Sequence, residues 1–171
     1  MNETLARWSS LEPIAAAREI LPCCGSQAWA AEMAARRPIA DEAALYLVSD
    51  AVWLGLPESA WQEAFESHPR IGQQKAAGEA TARSLAWSGT EQSAAMSSED
   101  AVKQALAEGN RRYEEKFDRI FIVCASGRSA AEILTILEQR LKNDLRTELR
   151  EAAEQQRQIT QLRLHRWLEA R

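Results

Sequence analysis

The stretch Ile120-Phe121-Ile122-Val123-Cys124-Ala125 is the one part of this chain with the composition of a buried strand, being apolar and rich in β-branched residues. No second segment of similar quality exists to pair with it. A sheet is therefore excluded and helices must carry the rest of the chain. The sequence predicts an all-α fold, a bundle of about seven to nine helices judged by apolar periodicity, with one short extended segment near 120–125. That segment raises an accounting question, because each of its N–H and C=O groups needs a partner. A polar ligand would answer it, and so would neighbouring side chains and water.

The chain has 171 residues, which suits a single domain spanning 1–171 with a core of ordinary size. Its 21 basic and 25 acidic residues are interspersed, without the basic block expected of a nucleic-acid binder. An anionic ligand would have to be met by a few locally placed cations. Three cysteines, two of them adjacent at Cys23 and Cys24, make no disulfide framework and point to a reducing, cytoplasmic compartment. The first residues lack the apolar run of a secretory signal, and no stretch has the length of a membrane span.

Helical spacing organises most of the chain. Leu5, Trp8 and Leu11, then Ile14 to Ile20, form a helical start that Pro22 and Gly25 stop. Gln27 to Arg36 follows and ends before Pro38. Asp41 is placed to cap a helix through Leu45, Val48 and Val52, and Pro57 opens the piece carrying Trp61 and Phe65. Gln73 to Gly89 is polar and Ala-rich and reads as a partly irregular functional loop. Glu99 to Lys116 has the pattern of a long helix. Ser129-Ala130-Ala131-Glu132 is a capping box, Asn143-Asp144 an interruption, and a final helix runs to about the C-terminus.

Candidate chemistry is sparse. His68, one of two histidines, precedes Pro69, so its backbone is pushed out of the helical region just beyond the Trp61–Phe65 helix. An imidazole on a constrained corner at a helix C-terminus is well placed for acid–base work near neutral pH. Ser88 with Glu91 and Gln92 is spaced so that all three share one side of a helix, although S-x-x-E is also a capping box whose side chains serve the backbone. In the last helix the apolar stripe Leu145, Leu149, Ala152, Gln156, Ile159 meets Arg163 where a hydrophobe is expected. Either that guanidinium is paired inside, or the stripe drifts and Arg163 reaches water. Nucleotide-binding loops, nucleophile elbows and zinc motifs are missing, and two histidines do not suggest a metal site.

Taken in order, the segments Trp29 to Pro38 (WAAEMAARRP), Ser67 to Gly72 (SHPRIG), Ser88 to Gln92 (SGTEQ), Tyr113 to Phe117 (YEEKF), Phe121 to Ala125 (FIVCA), Gly127-Arg128, Arg140 to Asn143 (RLKN) and Leu162-Arg163-Leu164 resemble one family. It is the 2-oxo-4-hydroxy-4-carboxy-5-ureidoimidazoline (OHCU) decarboxylases of uric acid degradation. The Arg70-Ile71 form of the histidine motif is similar to the bacterial branch. Where the family often has a Gly-aromatic step after the Lys-Phe pair, this chain has Asp118-Arg119.

The resemblance implies an all-α homodimer that needs no cofactor and no metal, and that converts a small-molecule ureidoimidazoline to (S)-allantoin and CO2. It implies His68 as the catalytic histidine and Glu91 as its acidic partner. It also implies substrate contacts from Pro69, Ser88, Gln92, the backbone of Phe121, Ile122, Val123, Cys124 and Ala125, and Arg163. Two other classes fit the residues less fully: a different ureide-processing hydrolase or isomerase using the same His/Glu pair, and a non-catalytic helical interaction module.

Overall fold

The computed structural model describes residues 2–73, 80–96 and 99–170, leaving aside the side chains of Ala94 and Met96. Helices run in the order α1 (Glu3–Ser9), α2 (Pro13–Ile20), α3 (Gln27–Ala35), α4 (Glu42–Gly55), α5 (Glu58–Glu66), α6 (Ala82–Glu91), α7 (Ser93–Met96), α8 (Asp100–Phe117), α9 (Ala130–Arg140) and α10 (Leu145–Glu169). Among the described residues there is no β-sheet, as the lone apolar run requires. No helix is long and apolar enough to cross a membrane.

Local signals explain most boundaries. Asp41 accepts the N–H of Ala44 at 2.8 Å and starts α4. Ser129 and Glu132 form the reciprocal capping box that opens α9. The gap at Asn143-Asp144 separates α9 from α10. One expectation is corrected. Ser88 does not cap a helix, because α6 already begins behind Thr81, whose hydroxyl accepts the N–H of Ser84 at 3.1 Å. Ser88 therefore lies inside α6, and Glu91 and Gln92 sit at its C-terminal end. The polar, Gly-containing sequence concealed a helix that Ala, Arg, Leu and Trp residues sustain; residues 74–79 of the expected loop lie outside the described residues.

The chain divides into two compact units. The first comprises 1–64 and 157–171, with fully buried Leu5, Trp8, Trp29, Met33 and Leu45. Trp8 and Trp167 meet edge to face at 5.7 Å. Cys24 is buried here, and the loss of solvent pushes its thiol up to about 12, so it is not a nucleophile at neutral pH.

The second unit is 65–156. Its core gathers Leu106, Tyr113 and Phe117 of α8, Ile133 and Leu137 of α9, and Phe121, Val123 and Ala125 between them. The close approach of α8 and α9 depends on Gly109, where an added Cβ would stand 2.5 Å from a Leu137 methyl. The chain leaves α8 through Asp118 in the left-handed conformation, with φ at 52°. Asp tolerates that region through its short polar side chain. The residue at the Gly-aromatic departure thus still supports the turn.

A buried ionic cluster backs this core. Glu148 is fully buried, and its Oε1 accepts from Arg140 Nε at 2.8 Å and Nη2 at 2.5 Å, as well as from the Tyr113 hydroxyl. Asn143 donates to Oε2 at 2.9 Å. Burial pushes the Tyr113 phenol upward, and the neighbouring Glu148 adds to the shift while Arg140 opposes it.

Candidate active site

His68 follows α5 on a corner held from several sides. Its own N–H donates to the Phe65 carbonyl at 3.1 Å, ending the helix, and Pro69 fixes the next φ. The chain then turns through Gly72, whose φ of 86° a side chain would strain, with the Gln73 N–H returning to Arg70 O at 2.9 Å. Three side chains, one just past α6 and two of α8, lock this turn. Arg70 forms a forked pair with Glu114, at 2.5 and 2.8 Å. Asn110 donates to Ile71 O at 3.3 Å, and Gln92 accepts the Gly72 N–H at 3.0 Å. The Arg70 guanidinium is held further above its ordinary range by that bond to Glu114.

The bond to Gly72 also orients Gln92. Its oxygen must face the backbone donor, so the amide nitrogen is the end turned elsewhere. Ser88, one helical turn earlier and 1% exposed, lies on the same flank of α6. Glu91, the last residue of α6, is half-buried.

The 120–125 segment resolves its accounting by halves. Ile122 O accepts from Arg140 Nη1. The Cys124 N–H donates to Gln155 Oε1 at 2.9 Å, and Cys124 O accepts from Arg128 Nε at 3.0 Å. Neighbouring side chains thus satisfy the Ile122 carbonyl and both backbone groups of Cys124. The backbones of Phe121 and Val123 have no such bond among the described residues, while their side chains enter the core with Ala125. The bonds to residues 122 and 124 lie along one edge of this extended chain; on the other edge the Ala125 carbonyl accepts the Arg128 N–H at 3.1 Å.

Two neighbouring residues of α10 connect these pieces. Gln155 holds Cys124, and Gln156 Oε1 lies 2.8 Å from His68 Nε2. The structure therefore brings together the His68-Pro69 corner, Gln92 and the 121–125 segment within the second unit. Arg163 belongs to the first unit. It is fully buried and donates to Pro22 O at 3.3 Å, so it is paired inside and does not reach water. Sequence reasoning missed Gln156 as a site residue, although its polar side chain on the apolar stripe of α10 was a usable signal. It also missed Glu148, because nothing in the local pattern marks a carboxylate whose partners come from α8 and α9.

A cavity of about 420 Å³ lies against the same corner, lined by Arg70 to Gln73 and by Lys103 and Asn110 of α8. Its lining includes neither His68 nor Gln92. No cluster of His, Cys, Asp or Glu among the described residues is arranged to hold a metal ion.

Comparison with known proteins agrees with the motifs. The family profile described as OHCU decarboxylase matches residues 9–165. The Uric acid degradation bifunctional protein TTL of Arabidopsis thaliana is 38% identical over 146 residues, covering 83% of this chain. The chain spans only 44% of that relative's length. A crystal structure of OHCU decarboxylase in the presence of (S)-allantoin superposes with a TM-score of 0.77 at 34% identity, covering 89% of this chain and 98% of the other. An (S)-allantoin synthase structure shares the fold at a TM-score of 0.72 and 16% identity, covering 95% of this chain and 53% of that one. With its motifs in order and the family match running nearly end to end, this chain belongs to the OHCU decarboxylase family.

Proposed function

We propose that this chain decarboxylates OHCU to (S)-allantoin and CO2, acting as one functional domain. The observation that carries the reading is the attachment of His68 and Cys124 to successive glutamines of α10. A titratable ring and a half-unpaired backbone edge are thereby held on one support. A flat imidazoline ring needs such an edge, because its alternating N–H and C=O groups pair with those of an extended chain.

In the proposed step the bond from the ring to the carboxylate breaks and CO2 leaves. Its electron pair is delocalised into the conjugated ring, which is why no electron sink beyond the substrate is needed. A proton must then reach one face of the ring. His68 handles that proton, with Glu91 setting its charge or orientation. Gln92 offers its amide N–H groups to a ring or ureido oxygen, Ser88 and Pro69 border the substrate, and the unpaired edge of 121–125 receives the ring. Arg163 is assigned a substrate contact by the resemblance.

The test generates OHCU enzymatically from urate and follows ellipticity with and without the protein. Rapid growth of a single-handed allantoin signal together with CO2 release is expected. An unaltered spontaneous rate overturns the proposal, and product without CO2 would favour a hydrolase or isomerase. In the same assay Arg163→Lys is expected to raise KM; an unchanged KM removes Arg163 from substrate binding.

We also propose a homodimer in the cytoplasm. Leu47 and Leu54, two turns apart on α4, are 72% and 64% exposed and form an apolar face suited to a second copy. The free thiols Cys23, Cys24 and Cys124 fit a reducing compartment, which cell fractionation reads. Sedimentation equilibrium should give twice the chain mass, and Leu47→Asp should shift it toward monomer. A monomeric wild-type protein overturns the assembly.

A further inference from the structure

We infer that Gln156 is a positioning residue for His68, fixing the plane of the imidazole and keeping the neutral ring's proton on Nε2. The inference rests on the reading of His68 as the proton-handling group, but its geometry stands apart from any activity. Gln156 is fully buried on α10, and His68 is 6% exposed. Their side chains meet at 2.8 Å, a full-strength hydrogen bond.

The backbone of His68 is already held by Pro69 and by the bond to Phe65 O. The bond to Gln156, a fully buried and water-excluded partner, acts on the remaining degree of freedom, rotation of the ring. A carboxamide is built into an otherwise apolar stripe between Ala152 and Ile159, so its slot is costly unless both ends are satisfied.

The direction of the bond follows from the ring's task. A histidine that takes and gives a proton passes through the imidazolium, in which both nitrogens are donors. Only the carboxamide oxygen can face Nε2 in both the neutral and the charged state. An amide NH2 turned toward Nε2 would lose its acceptor whenever the ring became charged. With the oxygen on Nε2, the titrating proton of the neutral-to-charged step belongs to Nδ1. Gln156 thus plays toward His68 the part that an orienting carboxylate plays in other acid–base sites, without adding a charge of its own.

The chain contains only two histidines, and His165 is exposed on the last helix. Long-range ¹H–¹⁵N spectra of ¹⁵N-labelled protein above the imidazole pKa therefore resolve the tautomer of each. His68 is expected as the Nε2–H form with a slowly exchanging proton, whereas the exposed His165, whose Nε2 lies 3.5 Å from Glu169, should exchange its proton rapidly with water. Gln156→Leu is expected to scramble the His68 pattern and leave His165 unchanged. In the same variant kcat should fall about 10- to 100-fold, the usual effect of removing an orienting partner, while KM changes less than about threefold because substrate contacts remain. Gln156→Glu, which keeps the acceptor and the shape, should restore the Nε2–H pattern and part of kcat.

A wild-type His68 protonated on Nδ1 overturns the inference. So does a Gln156→Leu protein with an unchanged His68 spectrum and unchanged kcat. Should that variant fail to fold, the wild-type spectrum and Gln156→Glu still decide. A clear Nε2–H tautomer in a protein that does not decarboxylate OHCU would instead overturn the functional proposal and leave the positioning role intact.

Discussion

His68→Asn is expected to slow OHCU decarboxylation by about 10²- to 10⁴-fold, the usual contribution of a positioned acid–base side chain. Thermal unfolding should change little. Asparagine is the informative replacement because it keeps a polar side chain at a position only 6% exposed. Alanine would leave the buried corner without a polar side chain, confusing lost chemistry with lost stability. Asparagine keeps a polar end but has no group that titrates near neutral pH. Initial rates of allantoin formation, corrected for spontaneous decay of the substrate, measure the effect. A rate equal to wild type would remove His68 from the chemistry and with it the proposed mechanism. Glu91→Gln read in the same way separates the two groups. A smaller loss than at His68 is expected if the carboxylate tunes the histidine, and an equal loss if both transfer protons.

The second large effect is on folding. Glu148→Ala should destabilise the protein by about 3–5 kcal/mol, the cost of leaving a buried charge without its partner. Arg140 is then a cation 5% exposed with no carboxylate, and the Tyr113 hydroxyl and Asn143 amide lose their acceptor as well. For a chain of this size, melting should drop by roughly 6–20 °C, at about 2–4 °C per kcal/mol. Differential scanning calorimetry or urea titration checks it, and a shift under 1 kcal/mol would mean the cluster is not the support described. The double variant Arg140→Met with Glu148→Leu discriminates further. Replacing both charges with apolar groups is expected to recover most of the stability. Activity should stay low, because Ile122 O still lacks the donor that holds the 121–125 segment. Stability and activity should therefore come apart at this pair.

Much of the architecture was legible because helix signals are local. Asp41, Ser129 and Asn143-Asp144 mark boundaries through bonds that span only a few residues, and the structure places helix ends where they predict. The misreading at Ser88 has the same origin. S-x-x-E is a local pattern shared by helix starts and helix interiors, and the Thr81 cap that decides between them lies seven residues upstream of Ser88. Arg163 was ambiguous for a different reason. Whether a guanidinium on a stripe reaches water or is paired inside depends on what stands opposite, and Pro22 O is 141 residues away in sequence.

The site was legible as parts. His68 was marked by its proline and Gln92 by its motif, while the 120–125 segment stood out by its β-branched composition in a helical chain. Each is a property of neighbouring residues, and so is the family resemblance that joined them. How the segment satisfies its backbone depended on side chains from separate places: Arg140 of α9, Gln155 of α10 and Arg128 of the connection leading into α9.

The lone strand-like run and the absence of any partner for it determined, in the sequence by itself, that this protein is helical and that the run would need unusual company. Only the tertiary structure decided what that company is. Side chains hold the Ile122 carbonyl and both backbone groups of Cys124, those of Phe121 and Val123 are unpaired among the described residues, and Gln156 is set on His68. The division has one physical reason. Periodicity and capping act within a few residues and are written along the chain, whereas hydrogen bonds between distant side chains form only after the helices have packed.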